Sequence, residues 1–227
     1  MARTLNPEAH AVRRDCFVDA AQRLIQVRGY EQLSIQDVLD EAHASKGAFY
    51  HYFTSKEALL DAVLDRIVET ALASVAPVVS DPDLSAIQKL TGLFSSLAQW
   101  KNARKELMLA LLEVWLSSDN TVVREKHRGL IASRLLPSLT AIVTQGKAEG
   151  AFTVSSPKDA AGILVALIQG ANEVASRALL ARQAETASFA DVERMVAAYQ
   201  EAFERTLGAP AGSLTFIDDA TLRLWYG

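Results

Sequence analysis

The sequence predicts an all-α fold, a small N-terminal head joined by one long helix to a larger helical bundle. Three observations predict it. Gly and Pro number only 11 and 6 in 227 residues, too few for the turn-rich punctuation of a β protein. Hydrophobic residues make up 50% of the chain, enough for a substantial core. Apolar residues recur three and four apart, the period of an amphipathic helix, and the segments so marked come to about nine helices.

Asn6-Pro7 opens the first helix, Asn as cap and Pro in the first turn, after a solvated arm over 1–5. Val12, Cys16, Ala20, Leu24 and Val27 mark its inner face until Gly29 stops it, so Cys16 is expected to be buried. Ser34 is an N-cap, and Ile35, Val38, Leu39 and Ala42 give the second helix one apolar face. His43-Ala44 turns the chain. Ser45 caps a third helix in which Phe49 and Phe53 point inward.

The other face of that third helix carries the chemistry. Lys46, Tyr50, His51 and Tyr52 are donors, and Gly47 and Ala48 have almost no side chain, so a partner can approach the backbone. Small residues at a helix start with phosphate-reaching donors behind them suit a helix that enters a DNA major groove. The pattern is a helix-turn-helix. Thr54-Ser55-Lys56-Glu57 then restarts the chain, with Lys56 near a helix N-terminus, where backbone amides also favour phosphate.

A long stiff helix runs from Ser55 to about Val78, striped by Leu59, Leu60, Val63, Ile67 and Ala71, and Ser80-Asp81-Pro82-Asp83 breaks it. Five helices follow, over 84–100, 103–116, 120–149 (with Pro137 as a kink site), 157–182 and 188–207. The tail, 208–227, holds an apolar segment able to pack back or to cover a partner. Phe94, Trp100, Met108 and Trp115 are bulky walls, either core or the lining of a small-molecule pocket. Glu113, within a nearly apolar helix, sits at an edge, in a pair, or in such a pocket.

The stretch SIQDVLDEAHASKGAFYHYFTSKEALL resembles the TetR family of bacterial transcriptional regulators, with the motif spanning roughly Arg13 to Ile67. The resemblance implies phosphate contacts at Ser34, Ser45, Tyr50, His51 and Lys56, and base-edge contacts at Lys46, Gly47 and Ala48. It implies a DNA-binding domain over 1–56 and a ligand-binding and dimerisation domain over 57–227. It also implies a homodimer on double-stranded operator DNA, released by a small-molecule effector, with the last two long helices as dimer interface. On those helices the candidates are Ala161, Leu164, Ile168, Val192, Met195 and Tyr199. The chain departs from the family in its turn: many members have Gly-Val where this one has His43-Ala44, a titratable group.

Composition sharpens the picture. The net charge is −4, and the first 56 residues hold seven Lys/Arg (3, 13, 14, 23, 28, 46, 56) against seven Asp/Glu (8, 15, 19, 31, 37, 40, 41). A positive surface for DNA must therefore be a local arrangement, and affinity should be salt-sensitive. One cysteine excludes an intramolecular disulfide. With no signal peptide and no uncharged membrane-length run, a cytoplasmic location with no membrane partner is expected. There is no Gly-rich phosphate loop, no H-E-x-x-H and no cysteine cluster, so no catalytic residue, metal or cofactor is expected. A helical small-molecule or lipid-binding module, an activator, and a metal or redox sensor of the same fold remain alternatives.

Overall fold

The computed structural model describes residues 7–116 and 121–227, without the side chains of Pro7, Ala9 and Glu113. The 1–5 arm, the Asn6 cap, the Glu113 carboxylate and the Asn120 helix start lie outside the described residues. Among the described residues there are ten helices and no strand: α1 (Pro7–Arg28), α2 (Ile35–Glu41), α3 (Lys46–Tyr52), α4 (Lys56–Ser80), α5 (Ala86–Asn102), α6 (Lys105–Leu116), α7 (Thr121–Ala148), α8 (Pro157–Gln183), α9 (Phe189–Leu207) and α10 (Asp219–Tyr226). They fall into two compact units, 1–69 with 104–127 and 70–103 with 128–227.

In the first unit the expected inner face of α1 needs correction. Val12 and Val27 are 64% and 79% exposed, and Cys16 is exposed as well. The buried residues are Phe17, Val18, Ala20, Ala21, Leu24 and Ile25, one position round the helix. Phe17 decides the rotation, because an aromatic ring removes far more apolar area from water than a Val or Cys does. Its ring meets Phe49 edge-on at 5.6 Å and Phe53 at 6.2 Å. Leu107, Leu111 and Val114 of α6 join the same core, and Gln26 donates to Glu106 at 2.9 Å. His127 at the start of α7 is 1% exposed, with Nε2 3.4 Å from Asp61 and Nδ1 3.5 Å from Asp65, both on α4.

Helix α4 is not free of helix breakers. Pro77 lies within its last turn and has no N–H to give the preceding turn, while Ser80 Oγ donates to the Ala76 carbonyl at 2.9 Å. Helix α7 runs continuously through Pro137.

The second unit is built on Leu90, Leu93, Leu139, Ile142, Val143, Phe152, Leu164, Phe203 and Leu207. Its tail holds the tenth helix, one more than the expected number. Asp218 caps α10 by accepting from the Thr221 amide at 2.6 Å, and the ordered approach to it is tied by Glu204. That buried carboxylate accepts from the amides of Gly212 and Leu214, each at 3.0 Å. Phe216 packs against Phe94 at 4.2 Å and Phe203 at 4.6 Å, and Trp225 Nε1 donates to Asn102 at 2.6 Å. Eight residues are too few for a periodic pattern to separate helix from loop.

Candidate nucleic-acid interface

Two short helices cannot hold themselves in water, so their ends and one buried face must do it. Ser34 and Asp37 form a capping box at the start of α2: Ser34 Oγ accepts from the Asp37 amide at 3.1 Å, and the Asp37 carboxylate accepts from the Ser34 amide at 2.9 Å. The hydrogen bonds from the Ser34 hydroxyl and amide hold the Asp37 carboxyl below its ordinary value. At the other end of α2 the Ala44 amide reaches the Leu39 carbonyl at 2.9 Å and the His43 amide reaches Asp40 at 3.3 Å. This is a Schellman ending, and His43 occupies its left-handed position with φ 47°. The family's usual glycine has been replaced without loss of the turn.

Ser45 caps α3 by accepting from the Ala48 amide at 3.2 Å. Phe49, at 0% exposure, and Phe53, at 3%, anchor the helix in the head core. The outward residues are then Lys46, Gly47, Tyr50 and His51, with Ala48 and Tyr52 half-buried. A Cβ added at Gly47 would meet nothing within 4 Å, so no packing inside the chain demands glycine there. The two serines differ. The Ser34 hydroxyl already donates to Asp37 at 2.5 Å, whereas the Ser45 hydroxyl is an acceptor only, among the described residues.

The head's even charge balance resolves into two populations. Arg23 pairs with Glu41 at 2.9 Å, Arg28 with Asp37 at 3.3 Å, and Asp19 with Arg66. Arg13, Arg14, Lys46 and Lys56 are in no salt bridge among the described residues. Arg13 and Arg14 were not candidates in the sequence, because only the pairing pattern separates them from Arg23 and Arg28. The Arg14 guanidinium lies 5.4 Å from the centre of the Phe53 ring. His10, also unforeseen, packs its ring 4.6 Å from Tyr52 and 5.5 Å from His51. A cleft lined by Leu24, Arg28, Asp37, Asp40, Glu41 and His43 is acidic and does not suit phosphate.

The five pocket candidates do not gather in one unit. Phe94 and Trp100 belong to the second unit, Met108 and Trp115 to the first, and the Glu113 side chain lies outside the described residues. Near Trp100 the Lys101 ammonium is half-buried, donates to Asn172 at 3.1 Å, and has its pKa pushed down by burial.

The interface candidates divide as well. Ala161, Leu164, Ile168 and Val192 are buried inside the single chain. Met195 and Tyr199 are half-buried, and the Tyr199 hydroxyl covers Gly170 of α8. Helix α8 also carries apolar side chains outside that buried face. It leaves Ile163 52%, Val174 39% and Leu180 38% exposed, and by length and composition it is apolar enough to cross a membrane. Among the described residues no three His, Cys, Asp or Glu side chains come together as metal ligands.

Fold and site define a helix-turn-helix protein. Residues 17–63 match the family model described as bacterial regulatory proteins, tetR family. The HTH-type transcriptional repressor KstR2 of Mycolicibacterium smegmatis is 32% identical over 88 residues, 39% of this chain and 42% of that one, so less than half of that relative is spanned. A TetR transcription regulator from Haloarcula marismortui shares the fold with TM-score 0.64 and 22% identity, over 87% of this chain and 97% of its own. SmeT, solved in complex with triclosan, does so with TM-score 0.61 and 18% identity, over 91% and 98%. Residues 17–63 thus carry a tetR-family N-terminal domain.

Proposed function

We propose that the protein is a sequence-specific DNA-binding transcriptional regulator, a homodimeric repressor that leaves its operator when a small apolar or amphipathic ligand binds. One observation carries the DNA reading: α3 is anchored by Phe49 and Phe53 while Lys46, Gly47, Tyr50 and His51 stay outward, with neither lysine of the motif in a salt bridge among the described residues. In this reading Lys46, Gly47 and Ala48 meet base edges, and Ser45, Tyr50, His51 and Lys56 meet phosphates. Ser34 joins them only by giving up its bond to Asp37. DNA contact is confined to 1–56, and 57–227 supply regulation and dimerisation.

The homodimer rests on the exposed apolar face of α8. A Cβ at Gly162 would meet nothing within 4 Å, and its neighbour Ile163 is 52% exposed, a combination that favours close helix packing against a second copy. Two recognition helices then need a separation of about 34–36 Å, one turn of DNA. The effector reading rests on the family and on bulky side chains of the second unit such as Trp100; the triclosan complex of SmeT is a precedent in the same fold. A ligand that favours a different spacing weakens DNA binding, and DNA weakens ligand binding by the same factor. The location is the cytoplasm, where the operator is.

The test is binding of the purified protein to the DNA upstream of its own gene, at several salt concentrations, against scrambled DNA. The expected result is a saturable, selective complex with two protomers per site. Tyr50→Phe combined with Lys56→Ala should weaken binding to all sequences alike and lower the salt slope by about 1 for each phosphate that is no longer neutralised. Unchanged binding by that variant would remove these residues from the interface.

A further inference from the structure

Lys56 is the first residue of α4, and its side chain does not hang free. Its ammonium sits 4.2 Å from the centre of the Tyr30 ring and donates to the Glu31 carbonyl at 3.4 Å. Tyr30 itself is fixed: it is 6% exposed, belongs to the head core, and follows Gly29, whose φ of 77° ends α1. The Tyr30 carbonyl also accepts from the Leu33 amide at 3.1 Å, which locks the connection to α2. The lysine thus rests on a rigid platform belonging to another part of the head.

Both groups that hold it are neutral. A carboxylate in the same place would fix the ammonium as firmly but would cancel its charge, and a phosphate would then have to displace it. An aromatic face and a carbonyl restrain the lysine without a salt bridge; the exposed Glu57 carboxylate beside it feels its charge but does not hold it, so the ammonium stays open to an external anion. A lysine side chain carries roughly 2 kcal/mol of rotamer entropy, much of which a free lysine would lose on binding. Glu57, Glu31 and Asp61 lie around the tyrosine, and burial first, then these carboxylates, push its phenol up to about 12, so the ring stays uncharged.

We propose that Tyr30 is a positioning residue for DNA binding: its ring holds the Lys56 ammonium, charge intact, where a backbone phosphate of the operator takes it. This rests on the reading of the protein as a DNA-binding regulator. By this placement a buried aromatic outside the helix-turn-helix would bear on affinity without touching DNA.

The experiment measures operator and scrambled-DNA affinity of the full chain carrying Tyr30→Phe, Tyr30→Leu, Lys56→Ala and the Tyr30→Leu/Lys56→Ala pair, with thermal unfolding of each. Tyr30→Phe keeps the ring and should bind as the unaltered protein does. Tyr30→Leu should weaken binding about two- to fivefold on both DNAs, the size of an exposed cation–π interaction. With Lys56→Ala already present, Tyr30→Leu should change nothing further. If Tyr30→Leu disturbs folding, pentafluorophenylalanine at position 30 keeps the shape and reverses the ring's polarity; it should weaken binding in the same way. An equal loss with and without Lys56 overturns the proposal, as does tighter binding by Tyr30→Leu, which would mean that the ring holds Lys56 back. Selective binding that ignores Lys56→Ala overturns it too and leaves the regulator standing; no selective binding by the unaltered protein overturns both.

Discussion

Helices α3 and α8 each turn one face outward, and the two faces ask for different partners. The α3 face is polar: Lys46, Tyr50 and His51 surround a glycine with open space above it. The α8 face is apolar: Ile163 and Val174 are exposed along it, and Gly162, next to Ile163, is another glycine open to space. Gly170, also on α8, differs from both, since a Cβ there would crowd the Tyr199 hydroxyl at 3.2 Å. A glycine inside a helix costs roughly 0.5–1 kcal/mol relative to alanine. Where the fold itself demands the gap, as at Gly170, that cost has an internal reason. At Gly47 and Gly162 the described residues supply no such reason; in the proposed function DNA supplies it for one and a second protomer for the other.

The largest effect should come from the anchor of the polar face. Phe49 is fully buried against Phe17, Phe53 and the rest of the head core, and truncation to alanine leaves a cavity. Phe49→Ala should cost about 3–5 kcal/mol in denaturant unfolding and abolish selective DNA binding. A variant that unfolds normally but no longer binds would instead place Phe49 in the interface, contrary to its burial.

Next in size is the apolar face. Ile163→Asp with Val174→Asp would put two unpaired charges between packed helices, at a cost of roughly 3 kcal/mol or more, about a hundredfold in the dimer dissociation constant. Analytical ultracentrifugation should find monomers at concentrations where the unaltered chain is dimeric, with unfolding little changed because both residues are exposed. The same pair of changes made at Ala161 and Leu164 would unfold the chain, since those side chains are in its core. Dimers that survive the exposed substitutions would move the interface off this face.

The same contrast separates what the sequence could tell from what it could not. The capping serines at 34 and 45 and the inward pair Phe49 and Phe53 were legible because caps and i, i+4 contacts are local chemistry. The inner face of α1 was not, because Val12, Cys16 and Val27 fit the helical period as well as Phe17 does, and only a neighbour from α3 breaks the tie. Nor was the packing of α6 on α1, which joins Gln26 to Glu106 across 80 residues of sequence. For the site, the outward residues of α3 followed from its motif. The contacts of Lys56 with Tyr30 and of Arg14 with Phe53 did not, because a cation resting on a ring has no signature in spacing.

A smaller and more discriminating effect is expected at Gly47. Gly47→Ala should raise stability by roughly 0.5–1 kcal/mol, since alanine is the better helix former and the added methyl meets nothing. If the backbone of α3 approaches DNA closely there, the same methyl should weaken operator binding while scrambled DNA is less affected. Gain of stability with loss of selectivity is an outcome that a purely structural glycine cannot produce. Stability gained with affinity unchanged would mean that DNA keeps its distance from Gly47.

The smallest effect concerns the turn that aims α3. His43 holds φ 47° at the left-handed position of the α2 ending, a conformation that costs an L-residue about 1–2 kcal/mol. Glycine removes that cost but brings a more flexible unfolded chain, worth about 0.4–1 kcal/mol in the other direction. His43→Gly should therefore stabilise the protein by no more than about 1 kcal/mol, roughly 2–4 °C in Tm for a chain of this size. His43→Ala is the control, because alanine keeps the backbone strain and removes the imidazole. If alanine stabilises as much as glycine, the imidazole beside Asp37, Asp40 and Glu41 is what matters, not the backbone. Glycine alone should help, and operator affinity should stay the same, because His43 sets the angle of α3 through its backbone and contributes no side chain to the polar face.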